Sequence, residues 1–534
     1  MYNRLFLTLM VLVQALGISA QNNVKVKVEE GILVGTDASG IKVFKGIPFA
    51  APPIGDLRWR EPQPVTAWKG ERQAIDFGSN PMQEAIFGDM NFGTKSMSED
   101  CLYLNVWTPA KTMKERLPVL IYFNGGGLMA GSGSEPRYAG EKMARMGIVS
   151  VTANYREGIF GFFSLPELSK ENQWHGSGNY GLMDQAAAIR WVKRNIVAFG
   201  GDPNRITIAG ESAGSISVSA LMASPMSKKL FAQAIGSSGS ILGFRPLPTL
   251  QEAEEDGTKL MTKIGCHLLS ELRAMPAEEL MKKAHIRKMP TPCIDGMFFI
   301  EQPEKTFAKG SQAQVPLLLG GNNQEMTLFV SNIEQAKEFA RRTFGDATDE
   351  IFPRYGIKTE ADLKGRQGTD LASDLFLDFS TWRWGHMHAK TGGRPVYRYR
   401  YCHPRPPMKD KGKVAGLAGG VQNVAEGQAE SQRDKGAVHS ADIEYAMGTL
   451  PTNLVYNWQP EDYIMSDIFN GYYVNYIKTG NPNGLGLPEW PLANGKVPEP
   501  ILQLDVNVSV EQDMQRENRY KTILQHVCKE QIPK

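Results

Sequence analysis

Hydrophobic positions along the chain fall into short blocks whose period switches between two and about 3.6, and each switch marks a strand giving way to a helix. Near the start Val24, Val26 and Val28 alternate with Lys25 and Lys27, and residues 31–35 enclose Ile32, Leu33 and Val34 between glycines. These read as short strands joined by turns, the pattern of an antiparallel edge. Residues 99–109, EDCLYLNVWTP, alternate as a strand, and 117–123, LPVLIYF, are apolar almost throughout. Such a run is expected where helices cover both faces of a sheet. Residues 148–152 make another strand, and 178–196 carry the helical period with Leu182, Ala186, Ile189 and Val192 on one side. Further strands are read at 206–208, 234–236, 316–319 and 395–401, the last alternating aromatic residues with arginine. Strands alternating with helices of this length predict an α/β fold built on a large, mostly parallel central sheet.

Three stretches interrupt that frame. Residues 44–64 are too rich in proline and glycine for regular structure and read as a packed loop. Residues 247–288 form a charged helical insertion, and at 404–434 the composition shifts to Gly, Ala, Gln, Lys and Glu, the mark of a mobile loop. Core-like sequence resumes at Ala437, so no domain boundary is drawn there, and residues 21–534 read as one domain without internal repeats.

Composition narrows the class. The 534 residues are 42% hydrophobic and 22% charged, the balance of a soluble globular protein. A formal net charge of +2 leaves no basic stripe for nucleic acid and no acidic tail. Arg4, the apolar run 5–16 and the small residues Ser19 and Ala20 read as a secretory signal peptide over 1–20, with an uncleaved anchor as the alternative. No later run is long enough to span a bilayer, so the expected location is secreted or periplasmic. Cys101, Cys266, Cys293, Cys402 and Cys528 are odd in number, so at least one is unpaired, and no Cys/His spacing suits a metal.

The chemistry centres on residues 204–225, NRITIAGESAGSISVSALMASP. A β-branched run, Ile206 to Ile208, ends at Gly210; beyond it Ala213, Gly214, Ser217, Ala220 and Ala223 put small side chains on one helical face until Pro225. A strand turning sharply into a helix places Ser212 at the bend, and glycines at 210 and 214 let the two elements close beneath it. This is the G-x-S-x-G nucleophile elbow, present once in the chain. A second feature is Gly125-Gly126-Gly127 directly after the strand 117–123, where backbone N–H groups are free to face a cavity and hold an oxyanion.

A serine hydroxyl needs a base, and the base needs a group that fixes its tautomer. Eight histidines compete. His175 lies in a loop, His267 and His285 in the insertion, His526 in a polar tail, and His386 and His388 on opposite faces of one helix. His403, at a strand end before prolines, rivals His439, which sits after the mobile loop at the start of a helical run. For the acid, Glu325 follows a buried strand, where α/β sheets collect reactive groups. The order Ser, acid, His is that of the α/β-hydrolase fold.

Ordered matches over almost the whole chain, among them FKGIPFAAPPIGDLRW, EDCLYLNVWTP, NGGG, NYREGIFGF, FGGDPNRITIAGESAG, GGNNQE and GAVHSADIEYAMG, make the sequence resemble the type-B carboxylesterases, the cholinesterase and para-nitrobenzyl esterase group. The resemblance implies an α/β-hydrolase fold and a serine carboxylesterase acting on small-molecule esters through an acyl-enzyme, with no metal or organic cofactor. It implies Ser212 as nucleophile, His439 as base, Glu325 as acid, and the N–H groups of Gly126, Gly127 and Ala213 as the oxyanion hole. It also suggests structural ion pairs Arg58–Glu99 and Arg156–Asp184, and a pocket-facing Glu211; Met129 and Trp174 are further substrate-binding candidates. Both cysteine bridges of the family are expected to be missing, because Cys101 and Cys266 lack partners at the matching positions. Asn124 stands where His or Tyr is common and Leu128 where Phe is common, which bears on substrate preference. A lipase, amidase or thioesterase of the same fold, or a catalytically silent binding module, are the alternatives.

Overall fold

The computed structural model describes residues 22–529 except 88–89, 286–287, 411, 417–420, 424–435 and 496–497; the expected signal peptide over 1–20 lies outside them. Its strands are β1 Asn22–Val28, β2 Gly31–Ala38, β3 Ile41–Pro48, β4 Glu71–Gln73, β5 Tyr103–Thr108, β6 Leu117–Phe123, β7 Val149–Ala153, β8 Gly201–Glu211, β9 Gln233–Ser237, β10 Leu317–Asn322, β11 Val396–Tyr401, β12 Lys413–Ala415, β13 Val421–Asn423, β14 Leu492–Ala493, β15 Ile501–Leu504 and β16 Ser509–Glu511. All but β12 and β13 join one 14-stranded sheet ordered β1-β2-β3-β5-β7-β6-β8-β9-β10-β11-β15-β16, with β4 beside β2 and β14 beside β11. From β7 to β15 neighbouring strands on that path run parallel, whereas β1, β2, β3 and β5 form the expected antiparallel edge, with β4 parallel to β2.

The all-apolar run of β6 has a direct cause. Val119, Ile121 and Phe123 join the core on one sheet face, while Leu120 and Tyr122 join the core on the other. Each fully buried side chain of this size contributes about 1.5–3 kcal/mol, so alternation with polar residues would be costly here. In β11 the same two-faced geometry sorts the residues differently. Tyr397, Tyr399 and Tyr401 enter an aromatic core, and Arg398 and Arg400 face acids: Arg398 lies 2.6 Å from Glu499 and Arg400 3.6 Å from Asp370.

The stretch 44–64 is only partly the irregular loop expected, since β3 takes Phe44–Pro48 into the sheet by pairing with β5. Residues 404–434 carry a two-stranded hairpin of β12 and β13, and the rest of that expected loop lies largely outside the described residues. The insertion 247–288 is helical, with helices Leu250–Ile264, Leu269–Ala274 and Ala277–Ala284. His526, read as part of a polar tail, is the last residue of the helix Met514–His526. Arg58 grips Glu99 through two bonds of 2.6 and 2.7 Å, and Arg156 grips Asp184 through two of 2.8 Å. Cys101, Cys266, Cys293 and Cys402 are free thiols. No helix among the described residues is long and apolar enough to cross a membrane.

Candidate active site

Register brings three strand ends level. Gly210 of β8 pairs with Gly236 of β9, and Gly320 of β10 pairs with Ser237, so the chain leaves all three strands at one edge of the sheet. Ser212, Ser238 and Glu325 follow those ends.

Ser212 joins β8 to the helix Ala213–Ala223 with φ 55° and ψ −122°, a conformation that costs a side-chain-bearing residue about 1–3 kcal/mol. The glycines around it are required by contact. A β-carbon on Gly210 would lie 2.5 Å from the carbonyl carbon of Gly214, and one on Gly214 would lie 2.2 Å from the Phe123 carbonyl oxygen. The Ser212 N–H donates to Ser237 O at 2.8 Å, which ties the bend to the next strand. Ser212 as a whole is only partly buried.

His439 Nε2 lies 3.0 Å from Ser212 Oγ, and its Nδ1 lies 2.6 Å from Glu325 Oε2. An ionised carboxylate only accepts, so this contact assigns the ring proton to Nδ1 and leaves Nε2 to accept from the serine. The loop bearing Glu325 is stitched to the loop bearing His439, because Gln324 N–H donates to Ala437 O at 3.0 Å and Ala437 N–H to Asn323 Oδ1 at 2.7 Å. Glu325 Oε1 accepts from the Asn322 N–H at 2.6 Å and from the Ser238 hydroxyl. Phe376 closes over the imidazole edge-on, 5.1 Å between ring centres. Phe376 belongs to a π-helical turn, Asp374–Asp378, a wide coil often found where a helix re-aims side chains at a site.

Glu211 is buried and its Oε1 lies 3.3 Å from His439 Nε2. Burial raises the Glu211 carboxyl, and the neighbouring His439 opposes that rise. Burial works against a charge on His439, but Glu211 and Glu325 outweigh it and hold the imidazole above its usual range.

The glycine run after β6 turns with φ 111° at Gly126 and 64° at Gly127, both partly exposed. Among the described residues no protein acceptor takes the N–H groups of Gly126, Gly127 or Ala213. Met129 stands over this run, its methyl carbon 3.1 Å from where a Gly127 β-carbon would sit. It lines a cavity with Met82, Ile86, Phe160 and Met281. Trp174 is 50% exposed on the loop before the helix Tyr180–Asn195, and no hydrogen bond or ring contact joins it to Ser212, Glu325 or His439.

Three other histidines are engaged elsewhere. His403 lies between Asp462 at 2.9 Å and Asp505 at 3.0 Å, away from Ser212. His386 meets Glu499 and His388 meets the Val315 carbonyl, on opposite sides of their helix Phe379–Thr391. Among the described residues no group of three or more His, Cys, Asp or Glu side chains is placed to hold a metal. Ser238, Asn322, Phe376 and Glu157 were not singled out from the sequence. Ser238 alone carried a local signal, its place one residue beyond a buried strand.

A family model described as the carboxylesterase family matches residues 22–523. Fumonisin B1 esterase of Sphingopyxis macrogoltabida is 38% identical over 70% of each chain. Para-nitrobenzyl esterase of Bacillus subtilis is 31% identical over 93% of this chain and 98% of its own. Among solved structures, a para-nitrobenzyl esterase superimposes with a TM-score of 0.75 at 28% identity, covering 93% of this chain and 99% of that one. A carboxylesterase of Geobacillus stearothermophilus gives 0.77 at 29% identity, with the same coverage.

Proposed function

The chain belongs to the carboxylesterase family and is a carboxylic-ester hydrolase, and from that premise we propose that Ser212 is the nucleophile, His439 the general base and Glu325 the acid that orients it. His439 Nε2 takes the hydroxyl proton as Ser212 Oγ attacks the ester carbonyl, and Glu325 stabilises the imidazolium that forms. The N–H groups of Gly126, Gly127 and Ala213 hold the negative oxygen of the tetrahedral intermediate. The alcohol departs with the proton from His439, and water attacking the acyl-Ser212 bond through the same base releases the acid.

One observation carries the reading: the unbroken line from Ser212 Oγ through both ring nitrogens of His439 to Glu325, at 3.0 and 2.6 Å. Substrates on this reading are small esters with an apolar group seated against Met129 and its methionine-rich surroundings. Ser212→Ala should lose ester hydrolysis by about 10⁴ or more in kcat. It should also lose stoichiometric labelling by a serine-directed organophosphonate. Retained hydrolysis by the purified variant removes the assignment.

Export completes the proposal, on the strength of the apolar run 5–16 behind Arg4. N-terminal sequencing of the protein from its native host should begin near residue 21; a start at Met1 argues against it.

A further inference from the structure

Glu157 is buried on the chain that follows β7, and the proposed mechanism does not use it. Its backbone is pinned on both sides. The Arg156 N–H donates to Asp184 at 3.0 Å, and the Gly158 N–H donates to Leu128 O at 2.8 Å, at the far side of the glycine run. The Glu157 side chain points from this fixed base at Asn124, the first residue after β6, whose Nδ2 donates to Glu157 Oε1 at 3.0 Å.

Asn124 is embedded in the loop that carries Gly126 and Gly127. Its Nδ2 also donates to Gly125 O at 3.0 Å, and its carbonyl accepts from the Tyr155 hydroxyl at 3.0 Å. The loop returns so closely that a β-carbon on Gly131 would lie 2.0 Å from Nδ2. An amide clasped in this way sets where the following N–H groups point.

Two buried atoms of the pair lack hydrogen-bond partners, Asn124 Oδ1 and Glu157 Oε2. Both accept only, so a carboxylate here would leave two acceptors unsatisfied and a charge without a counter-ion. The nearby cations already have counter-ions, Arg58 in Glu99 and Arg156 in Asp184, although Arg156 Nη1 is left without a hydrogen-bond partner. A proton on Oε2 supplies the donor that Asn124 Oδ1 lacks and completes a two-bond amide–acid pair. Burial, ahead of the opposing pull of Asn124 and Tyr155, pushes the Glu157 carboxyl well up, as that proton requires.

Resting on the reading that Gly126 and Gly127 hold the oxyanion, we propose that Glu157 is a positioning residue of that cradle, acting as a neutral carboxylic acid paired with the Asn124 amide. The pair is set before substrate arrives, so its loss falls on the transition state and not on substrate affinity.

The test is a set of variants assayed on an aryl ester at pH 7 beside Ser212→Ala, with thermal unfolding of each. Glu157→Leu and Asn124→Asp should each lower kcat about tenfold or more with KM within about threefold, a fraction of the cost of deleting an oxyanion donor. Glu157→Gln, which keeps an acceptor and a donor without charge, should run at least about fivefold faster than Glu157→Leu. The exchange Asn124→Asp with Glu157→Gln, which re-creates an amide–acid pair in reverse, should run at least about fivefold faster than Asn124→Asp alone. A glutamine variant as slow as the leucine one, an exchange that rescues nothing, or single variants that turn over like the parent overturn the inference. If Glu157→Leu does not fold, Asn124→Asp and its rescue decide. Hydrolysis surviving in Ser212→Ala would instead overturn the underlying nucleophile assignment, so the two failures are told apart.

Discussion

Glu211 Oε1 lies 3.3 Å from the same His439 nitrogen that meets Ser212 Oγ at 3.0 Å, so a buried acid and the serine share one face of the imidazole. An imidazolium cannot take the serine proton, and kcat/KM therefore rises with pH as His439 loses its charge. Glu211 favours the charged ring, which places that rise above the ordinary histidine value of about 6.5. Glu211→Gln should move the acid limb of the kcat/KM profile down by about one pH unit. A limb that stays in place would show that Glu211 does not govern the base.

His403 makes the opposite use of two acids. Burial lowers its basicity, but hydrogen bonds to Asp462 and Asp505 raise it overall, and Asp462 also accepts from the Tyr445 hydroxyl at 2.8 Å. A histidine raised in the folded state contributes stability that is complete below about pH 6.5 and fades as pH climbs through the folded value. The parent should thus lose stability from pH 6.5 upward more steeply than His403→Gln does. Below that window the variant should be about 1–3 kcal/mol less stable in urea unfolding, with kcat within about threefold of the parent. Loss of turnover in a folded His403→Gln would return this residue to the chemistry.

The elbow glycines face backbone, which does not yield as a flexible side chain would. Gly214→Ala drives a methyl into the Phe123 carbonyl, so it should cost about 2–4 kcal/mol and lower kcat at least about tenfold, because relief of the clash shifts Ser212. Unfolding curves and turnover on one ester check both. A variant unaltered in both would mean that strand and helix have slack beneath the serine.

Ser238 holds Glu325 from the side opposite His439. Removing its hydroxyl in Ser238→Ala leaves Asn322 as the main anchor of Oε1, and kcat should fall about tenfold with KM little changed. Steady-state kinetics on the parent and variant decide it; an equal rate would assign orientation of the acid to Asn322 alone.

What the sequence disclosed and what it hid divide along one physical line. β6 was legible residue for residue at 117–123, because a strand buried on both faces writes its environment into every position. The bend at Ser212 was legible because the glycine pattern is compact and Gly210 is demanded by Gly214, four residues on, whereas the contact that demands Gly214 comes from Phe123 on the neighbouring strand β6. The ends of β8 and β10 were blurred, since pairing with neighbours extends a strand past its apolar centre, while β11 was read to within one residue. Phe44 to Pro48 looked irregular because proline and glycine weigh heavily in local reading, whereas pairing with β5 is a distant effect. The Asn124–Glu157 contact joins two residues that are adjacent only because β6 and β7 are neighbours in the sheet. Likewise, nothing local distinguished His403 from His439 until Asp462 and Asp505 were seen to occupy both nitrogens of the former.

The free state of Cys101, Cys266, Cys293 and Cys402 has a practical corollary. With those four thiols free no bridge within the chain contributes to the fold, so refolding from denaturant should proceed equally well with and without reductant. Whatever robustness the fold has must come from packing and from buried clasps such as Arg156 on Asp184, which salt screens little and which are indifferent to redox poise.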